Sequence, residues 1–202
     1  MVAGINGHFG SESKLRSNGL VEMVEQEQAQ LTQIVHANWS RDNAFDKAVK
    51  LLKRYPDLSV IWCASDTMAL GVIDAVKSLG MLPSKDVFVG GFDWINSALI
   101  SIEQGELTAS VGGHYIMGAI AVIAAYHDHQ QIKHSTILNK VSYSFALDLL
   151  SQANIQAKLA LVQNLSYDKI YFTQLAELFI NTNKASHLPL LEKLELSLKS
   201  QH

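Results

Sequence analysis

From Val2 onward, short apolar runs alternate with segments whose apolar residues recur every three or four positions, the mark of strands alternating with amphipathic helices. Val2 to Asn6 reads as a first strand, running into the glycine-spaced turn Gly7-His8-Phe9-Gly10, with Ser11 placed as the N-cap of a helix that reaches about Gln26. Leu31 to His36 is a second strand and Trp39 to Asn43 a polar and aromatic junction. Phe45, Ala48, Val49 and Leu52 then mark one face of a second helix, which ends before Tyr55-Pro56. The clearest unit is Leu58 to Leu79, LSVIWCASDTMALGVIDAVKSL. Its Val60, Ile61 and Trp62 favour a strand, Ser65, Asp66 and Thr67 make a polar corner, and Met68, Val72, Val76 and Leu79 fall on one helical face. Gly80 and Pro83 end that helix, and Val87 to Phe92 is a fourth strand. Asp93 to Asn96 form its junction, and Ala98 to Gln104 a short helix closed by Gly105. Leu107 to Val111 is a fifth strand, and Ile116, Ala119, Ile120 and Ile123 belong to a fifth helix.

Parallel strands need crossovers, so five such pairs within roughly the first 130 residues predict an α/β fold: an open, parallel, doubly wound sheet of about five strands. Beyond Asp128 the pattern changes. Val141 to Leu147 alternates as a strand, Ile155 to Val162 and Tyr171 to Ile180 read as helical, and LPLLEKLELSLKSQ is amphipathic. The expected division is therefore a lobe over residues 1–130 and a mixed α/β tail over 131–202. Ile170, Phe172, Leu175, Leu178 and Phe179 make that tail too apolar for a disordered linker.

A chain of 202 residues, 48 % hydrophobic, can bury one good core plus a smaller appendage. Its 16 basic and 19 acidic residues are spread without a basic stripe, which excludes the electrostatic footprint of a nucleic-acid binder. Cys63, the single cysteine, has no internal disulfide partner and reads as a small buried hydrophobe, with Trp62 beside it as core. The longest apolar candidate, Ile116 to Tyr126, falls short of the roughly 18 residues that a membrane helix needs. MVAGINGHFG lacks the basic segment and apolar run of a secretory signal.

In open α/β sheets, ligands bind beyond the carboxyl ends of the strands, which makes the five strand-to-helix junctions the places to look. They offer His8 and Phe9 with Arg16 farther along the helix, then Asn38, Trp39 and Arg41, then Ser65 and Asp66, then Asp93, Trp94 and Asn96, and last Gly113, His114 and Tyr115. Aromatic faces, carboxylates, amides and an arginine suit a ligand with many hydroxyls, because sugar C–H faces stack on Trp while Asp and Asn bond the hydroxyls. Each residue also has a plainer reading. Ser65, Asp66 and Asp93 can cap helices, Trp39 can be a packing residue, Arg16 a solvated one, and His114 an ordinary helix start. No G-x-S-x-G, G-x-x-x-x-G-K-[ST] or H-E-x-x-H occurs, and GINGHFG is not the dinucleotide fingerprint. His127, His129 and His134 lack completing metal ligands, and nothing gives Asp66 and Asp93 a nucleophile to serve. No cofactor, no metal and no catalysis is expected.

YPDLSVIWCASDTMALGVIDAVKSLG, followed by VFVGGFDW and ISIEQGELTASV, resembles the type I periplasmic sugar-binding proteins, which share their fold with the effector domains of LacI-type repressors. The resemblance spans roughly Val2 to Asp128. It implies a ligand-contacting arginine at Arg16, a stacking aromatic at Trp39, a polar contact at Ser65 where sugar binders often have Asn, and a carboxylate at Asp93. A glutamine common near the fifth strand is replaced by Gly113 or His114. Together with the junction inventory, the expected ligand-binding set is Phe9, Arg16, Trp39, Ser65, Asp66, Asp93, Trp94 and His114. The family has two lobes around a ligand. The resemblance places this chain at the second lobe, as a fragment carrying half the cleft, with a tail that would return to the first lobe or mediate a homodimer. It implies a sugar-like ligand and, as partner, an ABC permease or, as in the autoinducer-2 receptor branch, a membrane sensor kinase. The full-length protein would be periplasmic. The alternatives are the cytoplasmic effector domain of a LacI-type regulator and, from another class, a sugar-modifying enzyme using Asp66 and Asp93.

Overall fold

The computed structural model describes residues 1–114, 116–129 and 147–163. Strands and helices alternate: β1 (Val2–Asn6), α1 (Ser11–Gln26), β2 (Leu31–His36), α2 (Arg41–Arg54), β3 (Val60–Cys63), α3 (Asp66–Ser78), β4 (Phe88–Asp93), α4 (Asn96–Glu103), β5 (Ala109–Gly112), α5 (Ile116–His129), β6 (Asp148–Ser151) and α6 (Ile155–Gln163). The sheet runs in the order β2-β1-β3-β4-β5-β6. β1 pairs in parallel with both β2 and β3, and β3 with β4, so the first four strands end at one edge. By contacts the chain divides into two units, Met1–Val111 with Leu149–Gln156, and Gly112–Asp148 with Ala157–His202.

Register explains the core of the first unit. Ala3, Ile61 and Val89 stand side by side across β1, β3 and β4, and Ile5 is paired with Cys63. All five are fully buried or nearly so. Side chains alternate between faces along a strand, so the intervening Val60, Trp62 and Phe88 face the other way, where Val60 and Phe88 are exposed and Trp62 half-exposed. Trp62 is therefore not core: the apolar run it belongs to divides between two faces. Burial pushes the Cys63 thiol up from its ordinary pKa, which leaves it a small hydrophobe. The buried face lies under α2 and α3, which pack closely because a side chain at Gly71 would strike the Arg41 carbonyl.

Local chemistry sets the helix starts. Ser65 caps α3 by accepting from the Met68 N–H (3.3 Å), and Ser40 caps α2 by accepting from Asn43 N–H (3.3 Å). Ser11 is not the cap of α1. That position belongs to Gly10, which makes no side-chain cap bond. The Glu12 carboxyl instead turns back on the first turn, where its own backbone N–H and then the Ser11 hydroxyl hold it below the usual carboxylate range. Of the expected strand from Val141 to Leu147, all but Leu147 lies outside the described residues, as do the tail segments 171–180 and 188–201; Leu147 is not in a strand, and β6 begins at Asp148, just beyond the expected end. In the second unit, Lys158 reaches the buried Asp148 carboxylate at 3.6 Å.

Candidate functional site

The carboxyl edge of the sheet gathers around one side chain, Arg16. It stands in α1, whose start is fixed to β1 by the buried Asn6: its Nδ2 donates to Ser13 O (3.0 Å), and its Oδ1 accepts from Gly7 N–H (2.9 Å). From there the guanidinium Nη1 donates to the carbonyl of Ala64 at the end of β3 (2.5 Å) and to Asp93 Oδ1 at the end of β4 (3.1 Å). Its central carbon lies 3.9 Å from the centre of the Phe92 ring and 5.5 Å from that of Trp39. One arginine thus ties together groups from the ends of three strands, β2, β3 and β4. The side chains of Arg16 and Asp93 keep 22 % and 28 % of their surface open, so the pair is reachable by a ligand.

Two junctions around this arginine are held in the left-handed backbone region that non-glycine residues seldom adopt: Asn38 (φ 53°) with Trp39 (φ 61°), and Asp93 (φ 125°) with Trp94 (φ 66°). Each has an identifiable hold. The Trp39 indole lies on the backbone of Gly7, where any Cβ would overlap it, and donates its Nε1–H to His8 Nδ1. That bond requires His8 Nδ1 to be unprotonated. At the second junction, Asp66 Oδ2 accepts from Trp94 N–H (2.7 Å) and Ile95 N–H (3.1 Å), Asp66 Oδ1 accepts from the Ser110 hydroxyl (2.6 Å), and the Trp94 indole donates to Ser110 O (2.9 Å). Asp66 has no exposed surface. Its burial pushes its pKa from 3.8 up to about 6, against the opposing pull of the Ser110, Ile95 and Trp94 hydrogen bonds.

Of the eight residues read from sequence, Arg16, Trp39 and Asp93 meet in this constellation, with Ser65 next to the carbonyl that Arg16 grips. Ser65 is nearly buried, its oxygen engaged as the α3 cap. Asp66 and Trp94 lie beneath the platform, their polar atoms spent on one another's segments. Phe9 turns elsewhere: 85 % exposed, its ring stacks on His36 at 3.9 Å between centres, beside a groove of about 340 Å³ between α1 and β2. His36 Nδ1 sits 2.8 Å from the Gly7 carbonyl and so carries the proton there. His114 falls in the second unit. Sequence reasoning missed Phe92, Ser110 and the glycine at position 7. Phe92 was the recoverable one, since it sits two residues beyond Gly90 on the strand that ends in Asp93. Among the described residues no group of His, Cys, Asp and Glu is arranged to hold a metal ion, and no helix is long and apolar enough to cross a membrane.

An open parallel sheet whose strand ends bring together an arginine, an aspartate and two aromatic rings defines an α/β lobe with one polar and aromatic edge, the edge at which ligands bind in sheets of this kind. Residues 2–133 match the periplasmic binding protein domain, and the chain belongs to that family. It is 39 % identical over 112 residues to the D-allose-binding periplasmic protein of Escherichia coli (strain K12), a match covering 54 % of this chain and 35 % of that one. It is 37 % identical over 60 residues to the HTH-type transcriptional regulator IpsA of Corynebacterium glutamicum, covering 30 % of this chain and 17 % of the regulator. A crystal structure of a periplasmic sugar-binding protein from Pseudomonas fluorescens superposes with a TM-score of 0.74 at 25 % identity, covering 96 % of this chain and 59 % of that one. The chain thus spans only about a third of the curated sugar binder and rather more than half of the solved one.

Proposed function

We propose that the Arg16 platform is one wall of a site that binds a sugar or sugar-like small molecule without catalysis. The observation that carries this reading is the single guanidinium joining Ala64 O and Asp93 with the Phe92 and Trp39 rings close by. The guanidinium has more N–H donors than its bonds to Ala64 O and Asp93 use, which suits a ligand's vicinal hydroxyls. The half-exposed Trp39 ring offers an apolar face for a sugar's C–H face. Ser65 flanks the site. In the whole protein this lobe would work in the periplasm, handing its ligand to an ABC permease; coupling to a membrane sensor kinase or assembly into a homodimer are separate elaborations of the same role. Similarity to a D-allose-binding protein supports the ligand class and makes D-allose the first sugar to try.

Titration of D-allose, D-ribose and furanosyl sugars into the 15N-labelled chain tests the proposal. Saturable shifts of the Trp39 indole and Arg16 side-chain resonances support it, and indifference to every sugar in the panel refutes the ligand class. The match to IpsA favours a second reading, the effector domain of a transcription regulator. The gene sequence upstream of this segment decides between them: a signal peptide selects uptake or signalling, a basic helix-turn-helix headpiece selects the regulator.

A further inference from the structure

Asp66 has the chemistry of a ligand contact and the position of something else. It is fully buried, and its two oxygens accept from the Trp94 and Ile95 N–H groups and from the Ser110 hydroxyl. It is not the cap of its own helix either, because Ser65 performs that task. Its bonds run instead to the β4–α4 corner and to β5. The carboxylate reaches them because residue 91 is glycine: a Cβ there would overlap Asp66 Oδ1. The corner it holds contains Asp93 and Trp94, two successive non-glycine residues with positive φ, a conformation that persists only where the surroundings over-determine it. Asp93 is also the residue whose carboxylate meets Arg16.

We propose that Asp66 is the positioning residue of the platform: by fixing the Trp94 and Ile95 amides and the Ser110 hydroxyl, it imposes the backbone path that delivers the Asp93 carboxylate to Arg16. The Trp94 indole, bonded to Ser110 O, is the second arm of the same clamp. Asp66 touches no ligand in this scheme and acts through Asp93. Its bearing on sugar recognition rests on the reading of the platform given above, whereas the clamp itself does not.

The test is a set of double-mutant cycles on the full chain, read by denaturant unfolding. The coupling between Arg16 and Asp93, obtained from Arg16→Met, Asp93→Asn and the double variant, is measured in the natural background, in Asp66→Ala and in Asp66→Asn. The expected result is loss of the coupling in Asp66→Ala and its return in Asp66→Asn, whose amide keeps the shape and can serve the same three groups with one bond reversed. Coupling that persists unchanged in Asp66→Ala overturns the proposal. So does its loss in both variants, which would assign the effect to the charge of Asp66. If Asp66→Ala does not fold, the cycle in Ser110→Ala decides: reduced coupling supports the clamp, undiminished coupling overturns it. No sugar enters these measurements, so their failure is distinct from that of the sugar titration. Where the panel contains a binder, Asp66→Ala is expected to weaken it at least fivefold and Asp66→Asn to restore it.

Discussion

Asp66 and Asp93 lie at the ends of neighbouring strands, β3 and β4, and belong to two different layers of the molecule. Asp93 is partly open and faces Arg16, in surroundings where water screens the pair and a ligand can compete for it. Asp66, one layer deeper, has no exposed surface and three hydrogen-bond donors, so its energetics are those of a buried polar group that must stay satisfied. On the proposed reading, the difference teaches what a ligand-binding edge requires. Groups that recognise a ligand must remain exchangeable, hence partly solvated, and something rigid below must hold them in an unfavourable backbone path.

The largest effect that can break this comparison is on stability. Asp66→Ala leaves two buried N–H groups and a hydroxyl without an acceptor, and is expected to cost about 4 kcal/mol by urea unfolding. Asp93→Ala removes a partly solvated ion pair and should cost no more than about 1 kcal/mol. Equal costs would mean that the two layers are not distinct. The pH dependence sharpens the same point. Asp66 binds its proton more tightly folded than unfolded, with its pKa raised from 3.8 to about 6. Its contribution to stability is thus present below about pH 4 and is lost as pH rises through about 6, a decline of about 3 kcal/mol. Asp66→Asn should lack that decline, and a difference between variant and natural chain that stays constant from pH 4 to 7 would contradict the assignment.

Two smaller effects follow. Gly91→Ala places a Cβ against Asp66 Oδ1 and should destabilise by about 2 kcal/mol, most of which Asp66→Ala relieves in the double variant. Wild-type additivity of the two changes would show that they do not meet. At the exchangeable layer, Trp39→Gly removes a left-handed non-glycine residue and with it roughly 1 kcal/mol of backbone strain, while deleting the stacking ring. Unfolding should show a loss of stability smaller than for Trp39→Ala, and sugar affinity should fall about tenfold in both.

The alternation of apolar runs and helical stripes was enough for β1 to α5, because period-two and period-3.6 patterns register which face each residue buries. It could not tell that Trp62 and Val60 face away from the core, since a continuous apolar run looks the same whether one or both faces are covered. The same limit applied at the edge. Arg16, Trp39 and Asp93 were legible as polar and aromatic residues at strand ends, and they meet. Asp66 and Trp94 occupy equally prominent junction positions, and nothing in a local pattern separates a carboxylate aimed outward from one bonded to the next corner. That distinction depends on Ser110 and Gly91, which lie 44 and 25 positions away along the chain.

The most direct test of the account is the sugar titration followed by nuclear magnetic resonance, run in parallel on the natural chain and on Asp93→Ala. The account predicts saturable movement of the Trp39 indole and Arg16 side-chain signals with D-allose or a related sugar, abolished in Asp93→Ala while Asp66 and its clamp keep the fold intact. Identical responses in the two chains, or movement confined to residues away from the Arg16 platform, would contradict it.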